Sequence, residues 1–127
     1  MCLLEAVEHW DDAGICCTTR THRDPDNPLR NQKQLAAVHL CEYGAQAMAL
    51  HGALLARRDH PGGVIQQGLL VALRDVAFAV DRVDDIDGAL SVLARKKIAG
   101  TTGALYEFEV RSAERRLASG RVSVIYP

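Results

Sequence analysis

Residues 38–55, VHLCEYGAQAMALHGALL, are almost wholly apolar, and a run of that length makes about five turns of helix. A helix apolar on most sides must be enclosed by other elements, so the rest of the chain has to wrap it. Three polar residues interrupt the run. At roughly 100° per residue, His39, Glu42 and Gln46 fall within an arc of about 60°, with Tyr43 at its edge. A buried carboxylate is costly unless it is paired or used, and that conflict is the main functional signal in the sequence.

The flanking segments supply the wrapping. Residues 2–10 and 15–21 are short and β-leaning, and the Asp11-Asp12-Ala13-Gly14 turn between them predicts a hairpin. Residues 22–34, HRDPDNPLRNQKQ, carry two prolines and many turn formers and read as a loop. The helix is expected over residues 35 to about 57, ending before Pro61-Gly62-Gly63. Four strands are expected after it, over 69–83, 89–98, 104–112 and 117–126. LYEFEV alternates cleanly, with Tyr106, Phe108 and Val110 on one face and Glu107, Glu109 and Arg111 on the other. One face of that sheet is therefore dry and the other wet. A strand pair, one helix and a meander predict an α+β fold in which a curled antiparallel sheet wraps a single helix, the arrangement called the hotdog. No repeat or second domain interrupts residues 1–127.

Charge and cysteine usage narrow the function classes. The formal charge is −1, so no overall basic field attracts nucleic acid. Residues 95–127 nevertheless hold seven basic and three acidic residues, a basic end that suits an acidic partner, although solvated faces account for such charges equally simply. Cys2, Cys16, Cys17 and Cys41 show neither metal-ligand spacing nor a disulfide framework. Reduced thiols predict a cytoplasmic protein, and adjacent Cys16 and Cys17 should point to opposite faces of a strand. The acidic residues soon after the start do not suit a signal peptide, and no run approaches the roughly 20 apolar residues of a membrane span. Gly62-Gly63 lacks the glycine spacing and following lysine of a phosphate loop. No metal or cofactor is expected.

The polar stripe sits near the helix N-terminus, where exposed N–H groups and the dipole favour negative charge. A protonated Glu42 could donate to a leaving hydroxyl, an ionised one could take a proton from carbon, and Gln46 one turn on could hold the carboxylate. A structural carboxylate is an equal reading of Glu42 by itself, as is a helix-to-sheet hydrogen bond for Gln46. His39 suits a partner of Glu42 or a capping residue, His51 lies off the stripe as a packed or surface residue, and His22 stands at a strand-to-loop junction where catalytic groups collect.

The order of elements and the segment CEYGAQAMALHGALL resemble the hotdog 3-hydroxyacyl-(acyl carrier protein) dehydratases, in particular the dehydratase-like branch of bacterial aryl polyene clusters. CLLEAVEHWDD resembles that family's first strand, HRDPDNPLRN the loop before the helix, GLLVALRDVAF the next long strand and LASGRVSVI the last. The resemblance implies a catalytic carboxylate on the helix with a glutamine four residues later, which Glu42 and Gln46 match. It implies substrate acyl chains held on phosphopantetheine of acyl carrier protein, in fatty acid or polyene biosynthesis, and a homodimer or a heterodimer with another hotdog subunit, joined edge to edge around an acyl tunnel. Relatives carry a short segment with a Pro-His motif before the first strand, which this sequence lacks. They also carry a histidine fourteen residues before the glutamate, where this chain has Pro28. The expected site is therefore Glu42 and His22 as catalytic residues, with Gln46 and His39 binding substrate. A silent partner subunit and an acyl thioesterase remain the alternatives.

Overall fold

Asp11 turns the chain back on itself, its Oδ1 accepting the N–H groups of Ala13 (2.8 Å) and Gly14 (3.0 Å). This closes the predicted hairpin between β1 (Ala6–Trp10) and β2 (Gly14–Thr19). The computed structural model describes residues 2–63, 68–113 and 115–126. A 3₁₀ turn (Thr21–Arg23), a second one (Ala37–His39) and the helix α1 (Leu40–Asp59) follow, then β3 (Leu69–Phe78), β4 (Leu90–Ala99), β5 (Gly103–Ser112) and β6 (Arg115–Ile125). The strands form one antiparallel sheet in the order β1-β2-β4-β5-β6-β3, with α1 against its inner face. The single helix wrapped by a curled sheet is as the sequence predicts.

Side-chain alternation sorts the two faces of the sheet. Tyr106, Phe108 and Val110 are buried, as LYEFEV predicts, and Cys17 is buried while Cys16 on the other face is half-buried. Burial pushes the Cys17 thiol up to about 11, so it packs as a small apolar group. Two inward rows form the core floor: Ile15, Ala94, Phe108 and Gly120, then Cys17, Val92, Val110 and Ala118. The helix lays Leu40, Tyr43, Gly44, Ala47, Met48 and His51 on them.

Two boundaries depart from the sequence reading for one reason. Residues 35–37 were expected in the helix and residues 79–83 in the strand after it, but the two segments hold each other. Leu35 N–H donates to Asp84 Oδ1 (2.8 Å), Ala37 N–H donates to Asp81 O (2.8 Å) and Val83 N–H donates to Leu35 O (2.9 Å). Ala36 is extended and bridges Arg82. Leu35 O, which a helix starting there would offer to the next turn, is taken by Val83 N–H, and Val83 N–H is thereby turned away from a longer strand ladder. Asp84 is held by Arg82, whose guanidinium keeps its carboxyl down at about 2, with the Leu35 N–H acting in the same direction. The first strand also starts later than expected, at Ala6, because Leu3 is held by side chains described below.

The helix is seated by a glycine. A Cβ on Gly44 would lie 2.5 Å from Phe108 Cγ, and one on Gly120, across the same ring, would lie 2.7 Å from Phe108 Cε1. Alanine is the better helix former by about 1 kcal/mol, whereas overpacking costs about 1–3 kcal/mol, and a ring boxed on both sides has nowhere to move. Gly44→Ala is therefore expected to lower stability in chemical denaturation, and adding Phe108→Leu should restore part of the loss. A Gly44→Ala protein at least as stable as the parent would show that α1 is not seated on Phe108.

Candidate functional site

Glu42 lies on the side of α1 turned away from the sheet. The packed residues Leu40, Gly44, Ala47 and His51 centre almost opposite to it at 100° per residue, and Glu42 is exposed. Around it the helix offers half-buried Ala45 and Ala53 with exposed Ala49 and Val38. The expectation of a buried carboxylate in an enclosed helix is corrected here: the sheet covers one side only, and the apolar residues on the other side are open. Among the described residues Glu42 makes neither a hydrogen bond nor an ion pair. A short-chained open face around an uncommitted carboxylate is a surface that another body can approach closely.

Gln46 is committed elsewhere. Its Oε1 accepts the N–H of Leu3 at 2.8 Å. Leu3 O accepts the hydroxyl of Thr21 (2.7 Å), so that hydroxyl's oxygen receives the proton of Tyr43 OH (2.9 Å), and Tyr43 in turn accepts Asn27 Nδ2 (3.1 Å). The circuit leaves the helix at Gln46 and returns to it one turn earlier at Tyr43. It ties the N-terminal segment and the proline-containing loop to the part of α1 that carries Glu42. Tyr43 is fully buried, and burial pushes its hydroxyl up in pKa. Sequence reasoning placed Tyr43 only at the edge of the stripe; a tyrosine facing a core next to a loop holding Asn27 was the available signal.

His22 is 0% exposed, packed in the Thr21–Arg23 turn. Since Ile86 O can only accept, the 2.9 Å contact places a proton on Nε2. Nδ1 is then the unprotonated nitrogen, and it is buried without a partner among the described residues. Two clefts open on the outer face of the sheet and beside the β1–β2 turn, and neither is lined by His22 or Glu42. The fold thus brings Glu42, Gln46 and His39 onto one helical stretch, while His22 is packed in the Thr21–Arg23 turn. His39 is half-buried in the 3₁₀ turn before α1. His51, fully buried, donates from Nε2 to Asp11 O (2.7 Å) and accepts Tyr106 OH on Nδ1 (2.6 Å), tying the middle of the helix to the hairpin turn and β5. No group of three or more His, Cys, Asp or Glu residues is arranged to hold a metal among the described residues. No helix among them is long and apolar enough to cross a membrane.

Burial lowers the pKa of His22, so as pH falls the unfolded chain takes up the proton first. Its contribution to stability is complete above the ordinary value near 6.5 and is lost as pH falls below it. Urea denaturation between pH 8 and 5 is expected to show that loss, and His22→Gln to flatten it. An unchanged slope in the variant would place the titration on another group.

The family profile described as ApeP-like, ApeP dehydratase, matches residues 1–127. The chain is similar to the dehydratase heterocomplex ApeI:P from Xenorhabdus doucetiae, with a TM-score of 0.87 and 22% identity over 99% of this chain and 83% of that one. It is also similar to a mutant of the thioesterase SAV0944 from Staphylococcus aureus, with a TM-score of 0.67 and 15% identity over 96% and 93%. A hypothetical thioesterase with coenzyme A from Streptococcus pneumoniae gives a TM-score of 0.69 and 13% identity over 95% and 84%. At these identities the likeness is one of fold, the hotdog. No curated protein sequence matches the chain.

Proposed function

The chain belongs to the ApeP-like dehydratase family, and on that premise we propose that it removes water from 3-hydroxyacyl thioesters carried by acyl carrier protein, working with a second hotdog subunit. The observation that carries this reading is Glu42, a carboxylate without a partner among the described residues, exposed on an open helix face of small residues. One group removes the proton from C2, the electron pair forms the C2–C3 double bond, and Glu42 in its acid form gives a proton to the C3 hydroxyl, which leaves as water. The positive end of the α1 dipole favours the charge that develops on the thioester oxygen. His22 keeps an unprotonated Nδ1, but the residue is fully buried in the Thr21–Arg23 turn and lines neither cleft, so the proposal takes the C2 base from the second subunit. Gln46 acts through Leu3, holding the wall of the site, and His39 stands one turn before Glu42 to meet substrate.

The edges of the sheet support the partner. β1 is short, bulged between Val7 and His9, and carries Glu8 and His9, features that protect an edge from pairing. β3 has ten residues, and Leu69, Leu73 and Phe78 on it are 53%, 42% and 40% exposed. By register Leu73 and Phe78 lie on the helix side of the sheet, opposite buried Val122 and Ala118. The exposed inner face of β3 and the Glu42 side of α1 are the apolar surfaces that a second subunit would convert into an acyl tunnel. The ApeI:P structure is itself a heterocomplex, which agrees with this arrangement.

Incubation with 3-hydroxyacyl-acyl carrier protein, alone and with a second hotdog subunit, followed by mass, is expected to show loss of water. Free acid would identify a thioesterase, and no change in either mixture would overturn the enzymatic reading in favour of a silent subunit. Glu42→Gln keeps the shape and is expected to lower kcat about 10² to 10⁴-fold with the melting temperature retained; full residual turnover would make Glu42 structural.

Assembly is checked separately. Light scattering is expected to give a dimer, with itself or with the second hotdog chain, and Leu73→Asp to weaken it. A soluble monomer under both conditions would remove the edge-to-edge arrangement.

A further inference from the structure

On the face of the sheet away from α1 lies a cleft of about 450 Å³, within the size range of small-molecule sites. Its floor is one cross-strand row of short or apolar side chains, Cys16, Leu93 and Ser119, with Glu109 between the last two.

The charges around that floor are unevenly satisfied. Every carboxylate that lines the cleft already has a partner. Asp11 accepts the Ala13 and Gly14 N–H groups, and Glu109 pairs with Arg111 at 2.6 Å. Glu107 pairs with Lys97 (3.6 Å) and Arg121 (3.5 Å), and Arg121 also meets Asp75 (3.8 Å). Arg95 and Arg116 line the same cleft and have no hydrogen bond or ion pair among the described residues. They stand on opposite sides of the floor row, Arg95 in the row of Glu107 and Arg121, and Arg116 in the row of Arg111. Strand spacing and rise put their Cα atoms about 16 Å apart, a span that two long side chains narrow from both ends.

We propose that this cleft binds a small molecule with two anionic groups joined by a short aliphatic linker, one anion on Arg95, the other on Arg116, and the linker crossing the floor row between Leu93 and Ser119, over the Glu109–Arg111 pair. Guanidinium groups bind carboxylate or phosphate through paired N–H donors, and the Asp75, Glu107 and Glu109 carboxylates near them are already paired with cations. The site is separate from the Glu42 face, because sheet and helix lie between them, so it stands or falls independently of the proposed dehydration.

Isothermal titration of the whole chain at low ionic strength with adipate, and with hexanoate as the single-anion probe, tests it. Adipate is expected to bind saturably and at least about tenfold tighter than hexanoate, the ratio of one charge-assisted contact. Arg95→Gln and Arg116→Gln, with circular dichroism unchanged, should each lower adipate affinity about tenfold and leave that of hexanoate within a few-fold. Hexanoate binding as tightly as adipate, adipate binding unaffected by either substitution, or no saturable binding would each overturn the proposal.

Discussion

The ring of Phe108 sits where two side chains are missing. Gly44 lets α1 come down on one side of it, and Gly120, its cross-strand neighbour, leaves room on the other. Because Phe108 lies in the same row as Ile15, Ala94 and Gly120, the contact fixes the height and rotation of the helix over four strands at once. Close-packed interiors transmit such constraints with little slack. Rotation is what matters for chemistry: with Gly44 facing the ring, Glu42, two residues away, is turned outward.

Polar ties then fix what apolar packing leaves loose. At its N-terminal end the helix is delayed by the mutual hold of residues 35–37 and 81–84, centred on Asp84 and Arg82. In its first turns the circuit through Gln46, Leu3, Thr21, Tyr43 and Asn27 binds two irregular segments to it. In the middle His51 joins Asp11 and Tyr106, and near its end Arg58 reaches Asp12 at 2.5 Å and lies over Trp10. All four sets act on the sides of α1 that meet protein, and none involves the Glu42 carboxylate. The side chain best suited to acid–base chemistry is left uncommitted by a helix that is otherwise tied along its whole length.

The same asymmetry runs through the sheet. The β1 edge is short and bulged, whereas the β3 edge is long and leaves apolar side chains exposed on its inner face. A lone chain therefore presents an exposed carboxylate, an uncovered apolar slot and an open strand edge together. Each is costly or idle in isolation, and a single partner against that side would give all three a use.

Much of the architecture was legible in the chain. The apolar run 38–55, the Asp11–Gly14 turn and the alternation of LYEFEV determined a helix, a hairpin and a one-sided sheet, because periodicity and turn chemistry are local properties of residues near one another. The adjacent pair Cys16 and Cys17 split between faces for the same reason. What the sequence could not determine was exposure and direction. Apolarity around Glu42 implies that something covers it, but only the folded chain decides that its own sheet covers the opposite side. Gln46 and His22 carried the right chemistry in their side chains, yet a long-range partner, Leu3, decided how Gln46 is spent, and burial in the Thr21–Arg23 turn decided the place of His22. The helix start was set by a segment more than forty residues away, since Leu35 O, bonded to Val83 N–H, can no longer accept from the next turn of a helix. Local pattern specified the elements, and competition among distant hydrogen-bonding groups, settled only on packing, specified which of them remain free to act.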